Sequence, residues 1–236
     1  MISRLKYTGF IALALVAVVA WALAPVAQAN GSANGIANSP HDFSTATWNF
    51  RDEICRTCHV PHDHGRDTGT IGLLWNHQVP NHAYTMYSSA TLDGTIDPEP
   101  TGISKMCLGC HDGTVGLDQF DSKVNDPGTI FIQDEEPDAR IPNIPGSEGM
   151  DLSATHPISI IYDETADPGL HPKTNAMGTS GSIEDVLEAG KLQCSSCHDV
   201  HDSPGEAVAG THLLRVAQTV SQGGDPSGLC LECHNK

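Results

Sequence analysis

Every cysteine of the 236-residue chain lies in one of four Cys-x-x-Cys-His units. They are Cys55-Arg-Thr-Cys58-His59, Cys107-Leu-Gly-Cys110-His111, Cys194-Ser-Ser-Cys197-His198 and Cys230-Leu-Glu-Cys233-His234. None of the eight is left over. The spacing suits one chemistry: two thiols add across the two vinyl groups of one haem, and the adjacent imidazole turns onto the iron from one face. Four disulfides or two zinc ions clamped by paired CxxC would use the same thiols. Neither requires a histidine after every second cysteine.

The start of the chain is a targeting segment. Arg4 and Lys6 form a positive n-region, Phe10 to Leu23 is apolar, and Ala27-Gln28-Ala29 is a small-x-small cleavage site. Residues 1–29 are therefore expected to be removed, leaving 30–236 as a single tetrahaem domain. The apolar run ends at Pro25, short of the roughly 20 residues a bilayer core requires. No membrane span is expected in the mature form, and no cysteine near the cleavage site suggests a lipid anchor. Export agrees with the motifs, because c-type haem is attached outside the cytoplasm. Without Arg4 and Lys6 the balance is 10 basic against 29 acidic side chains, which argues against a nucleic-acid partner.

Nine aromatic residues remain beyond the signal, and Gly and Pro punctuate almost every segment. A chain of this size should bury most of its surface around one or two cores. Four haems supply the missing apolar mass. The expected fold is mostly irregular and loop-rich, with a few short helices and minimal β-structure, wrapped as a multihaem cytochrome c around a stack of four c-type haems. Pro157 to Tyr162 is the best strand candidate, and a helix is expected to start near Ser182, with Glu184 and Asp185 in its first turn, and to lead to Cys194. The motifs run CxxCHxxH, CLxCH, CxxCHxxH, CLxCH. That order suggests two duplicated dihaem units, about 41–120 and 180–236, joined by a loop-rich segment.

The proximal iron ligands are His59, His111, His198 and His234. Of the nine other histidines, local context favours five as distal ligands. His41 lies behind Pro40 in SPHDF, His62 follows Pro61, His77 ends the apolar stretch IGLLWNH at 71–77, His156 precedes the strand candidate, and His201 ends the second CxxCHxxH. His64, His82, His171 and His212 have polar or turn-like neighbours and read as solvated. Few methionines are placed to compete, so bis-histidine ligation is expected, with one of the five candidates surplus. His62 is confined by reach. Three residues span at most about 10 Å, too little to pass the porphyrin edge and return to the iron of His59. It points to solvent or binds a different haem, and the same holds for His201 and the haem of His198.

The stretches SPHDFS, CRTCHVPH, LLWNH, KMCLGCHDGTVGLD, THPISIIYD, CSSCHDVHD and the final CLECH resemble the exported tetrahaem cytochromes of metal-reducing bacteria. The chain is most similar to the OmcE-type cytochromes, which polymerise into extracellular filaments with an unbroken haem chain. The resemblance implies electron transport by four covalent haem c groups in a homopolymer at the cell surface or outside the cell. It also implies that a histidine of one subunit completes a terminal haem of the next, and the matching residue here is His62. Other redox proteins or extracellular electron acceptors would be the further partners. A monomeric periplasmic shuttle is the alternative. A multihaem reductase would need an iron with an open position, often marked by an unusual proximal residue. All four motifs end in His, so no enzymatic activity is expected.

Overall fold

Short elements follow directly from the density of Gly and Pro, 23 and 15 in the chain. The computed structural model describes residues 31–62, 74–141 and 150–235. The longest helix among them, α1 (Gly102–His111), carries the second Cys-x-x-Cys-His unit on its last two turns. Thr101 offers its amides no side-chain cap. Glu188 does so from a distant segment, accepting the Ile103 N–H at 2.8 Å. Ser104, Met106 and Leu108 face inward, and Gly113 at φ +76 turns the chain away past the helix end.

The other helices are α2 (Ile132–Glu135), α3 (Cys194–Cys197) and α4 (Gly228–Cys233). Two-residue strands β1 (Ile160–Ile161) and β2 (Lys191–Leu192) pair antiparallel, Ile160 opposite Leu192 and Ile161 opposite Lys191. The strand expected over 157–162 is thus present but short. Ser159 sits at φ +55, a left-handed conformation that breaks the ladder on its N-terminal side.

The helix expected from Ser182 to Cys194 does not form. A capped 3-10 turn covers Ile183–Val186, with the Ser182 and Asp185 side chains closing a capping box. Leu187 is already extended, and Ala189 and Gly190 turn back at φ +52 and +76 to enter β2. The start signal was genuine; pairing with β1 ended the element after one turn.

Among the described residues, apolar packing is divided into three small clusters. One joins Trp48, Leu117, Phe120 and Ile132; a second Tyr84, Leu108 and Leu152; a third Tyr162, Met177 and Ile183. Each ties one stretch of loop to a neighbour of a cysteine motif. Among the described residues no helix is long and apolar enough to cross a membrane.

Candidate functional site

All four cysteine motifs are built as helical turns. His59 N–H donates to Cys55 O at 2.8 Å, His198 N–H to Cys194 O at 3.1 Å and His234 N–H to Cys230 O at 2.9 Å, while the second unit lies within α1. Residues i, i+3 and i+4 of a turn share a face. The spacing therefore delivers two thiols and one imidazole to the same side. No two of the eight cysteines form a disulfide.

The motifs also meet one another. Helix α1 meets α3 where the Ser104 hydroxyl accepts the Cys194 N–H at 3.0 Å. Cys58 lies within the field of Cys110, and burial, with that neighbour, pushes its thiol up to about 12. Cys197 is likewise raised, to about 11, by burial and then by Cys233.

Three distal candidates stand opposite motif histidines. Ring centroids are 6.0 Å apart for His41 and His111, 6.4 Å for His59 and His201, and 6.3 Å for His156 and His234. Two imidazoles bound to one metal from opposite sides, each nitrogen about 2 Å from it, place their centroids about 6 Å apart. Each pair joins one motif histidine to one distal candidate. His201 pairs with His59 of the other half of the chain.

Backbone carbonyls orient the rings. His111 Nδ1 meets Ala139 O at 2.7 Å, His198 Nδ1 meets His212 O at 2.8 Å, and His156 Nδ1 meets Pro157 O at 3.0 Å. Such a bond at Nδ1 turns Nε2 outward as the ligating atom. His41 Nδ1 is enclosed with no hydrogen-bond partner. Burial, followed by the charges of His111, His198 and His201, pushes its imidazole down to about 3. A neutral imidazole is the form that a metal takes.

The remaining two candidates behave differently. His77 is 1% exposed, with Nδ1 2.9 Å from Gln78 O and Nε2 3.3 Å from Leu117 O. Burial lowers its pKa, and the carbonyl bonds pull the other way. Pro61 and His62 are exposed, and no ring pair of this kind forms at His198 among the described residues.

His82, expected to be solvated, is part of a network: its Nε2 lies 3.0 Å from Asp112 Oδ2 and 3.2 Å from Thr114 Oγ1. Its ring also tilts against Tyr84 at 4.4 Å between centroids. The polar neighbours in sequence concealed a buried carboxylate far along the chain. His171 is half-buried and His212 exposed, and His64 lies outside the described residues. Sequence reasoning passed over Asp112, although the repeated Cys-His-Asp of 110–112 and 197–199 marked it.

Among the described residues no group of three or more His, Cys, Asp or Glu side chains is placed to hold a metal by itself. A tetrathiolate zinc cage would need such a group, whereas a porphyrin iron leaves only two positions to protein side chains. Two thiols on one face beside a pair of facing imidazoles fit haem c. No protein-family model matches the chain, and no curated protein does.

Proposed function

We propose that this chain is an exported, non-enzymatic electron carrier that holds four haem c groups and joins its neighbours through shared iron ligation. The observation that carries the reading is the set of three imidazole pairs at 6.0–6.4 Å, each built from one motif histidine and one distal candidate. When bound, haem c supplies a one-electron ferric–ferrous couple. Cys55, Cys58, Cys107, Cys110, Cys194, Cys197, Cys230 and Cys233 anchor the groups. His41 would serve opposite His111, His201 opposite His59, and His156 opposite His234. His77 is the surplus candidate.

The two halves use their ligands alike. His41 precedes the first motif and faces the second; His156 precedes the third and faces the fourth. His201, three residues after His198, faces His59 in the first half. His62, three residues after His59, is exposed on the outside. Continuing the same relation into a second copy brings His62 to the distal side of His198. Assembly and ligation would then be one event.

The test is His62→Ala. The variant should yield soluble subunits that still carry four haems, with one iron per chain losing its low-spin signature and no filaments in electron micrographs. Normal filaments with every iron low-spin would exclude His62 as the bridge. Fewer than four haems per wild-type chain, or bound zinc, would remove the haem reading as a whole. A monomeric shuttle would show four low-spin haems without filaments in the wild type.

A further inference from the structure

Two motif histidines are followed directly by an aspartate, Asp112 and Asp199, and both side chains are buried. Their surroundings differ. Asp112 Oδ2 accepts the Tyr84 hydroxyl at 2.5 Å and meets His82 Nε2 at 3.0 Å. Its Oδ1 accepts the Thr114 N–H at 2.7 Å and the Thr114 hydroxyl at 2.8 Å. The four contacts fill the acceptor positions of an ionised carboxylate. Asp112 is 0% exposed.

The charge is not idle. Asp112 directly follows His111, so its buried carboxylate sits beside the second motif, where a negative charge favours any added positive charge on the group that motif holds. Asp199 is held by the Ser203 and His201 amides with the Arg215 guanidinium nearby, whereas Arg140 donates to the Asp112 backbone carbonyl at 3.3 Å. After His59 and His234 come Val60 and Asn235, which carry no charge.

A fixed anion beside the ligands of a one-electron centre favours the oxidised state, which carries one more positive charge. The preference is stronger where water is excluded. We propose that Asp112 sets the potential of its neighbour: its carboxylate makes the haem held by Cys107, Cys110 and His111 the lowest in reduction potential of the four. Tyr84 and His82 act as positioning residues that keep the carboxylate in place. The inference rests on the function proposed above.

The experiment is a spectroelectrochemical titration of the purified haem-loaded protein at pH 8, above the ordinary histidine range. Asp112→Asn keeps the shape and removes the charge. The lowest of the four transitions should rise by at least tenfold in its ferric–ferrous equilibrium, about 59 mV for a one-electron couple. The other three should move less, and Asp112→Glu should restore the low value. Asp199→Asn should shift any transition by less than half as much, because Arg215 already offsets that charge. An unmoved lowest transition with four low-spin haems intact, or movement confined to a higher one, overturns the proposal. If Asp112→Asn fails to fold, Tyr84→Phe decides. Loss of that donor leaves the anion less neutralised and should lower the lowest transition further; a rise or no change counts against the idea. Wild-type protein without four haems would instead remove the proposed function, so the two failures are separate.

Discussion

His77 shows how a histidine in dry surroundings can look like a ligand and serve another purpose. Its two ring nitrogens meet the Gln78 and Leu117 carbonyls, so the ring ties the 74–78 segment to the loop after α1. Burial favours the neutral ring, which donates from one nitrogen only, and among the described residues His77 forms no ring pair with a motif imidazole. His77→Gln should therefore keep four low-spin haems, with a loss of about 1–3 kcal/mol for the disturbed buried hydrogen bonds. Haem spectra and chemical unfolding of the variant measure the two effects. Loss of one low-spin signature would return His77 to the ligand set. His41, His156 and His201 share its residue type and have comparable sequence contexts, yet each faces a motif imidazole. Only the path of the chain separates them.

At the level of elements, the Cys-x-x-Cys-His turns needed little beyond their own spacing, since one helical turn brings both thiols and the imidazole to one face. Helix α1 needed more. Its first turn has no local side-chain cap, and the distant Glu188 carboxylate accepts the Ile103 N–H. Glu188→Ala should lower stability by about 0.5–2 kcal/mol, the range for loss of a helix N-cap, with the haem complement unchanged. Urea unfolding of the two proteins tests it, and equal midpoints would show that solvent replaces Glu188. The same residue explains why the helix expected after Ser182 stops early. Its backbone closes the turn against Lys191, with N–H to O bonds of 3.0 and 2.9 Å, and the chain enters β2 rather than another helical turn.

For the molecule as a whole, three clusters of three or four buried apolar side chains each are little for a chain of this length. Cofactor binding to the folded state adds directly to folding free energy, so the four proposed haems should supply most of the stability. Protein made without haem attachment should lack cooperative unfolding, and a sharp thermal transition in it would contradict this. The sequence by itself determined the four turns, each with two thiols and a histidine on one face, and the loop-rich character. These rest on spacing and composition, which are local. Tertiary structure decided which distal histidine faces which motif, that His77 is committed to carbonyls, that His82 and Tyr84 meet at Asp112, and that Glu188 caps α1. Those contacts join residues tens of positions apart, and their partners are carbonyls or side chains whose positions depend on how the intervening loops close.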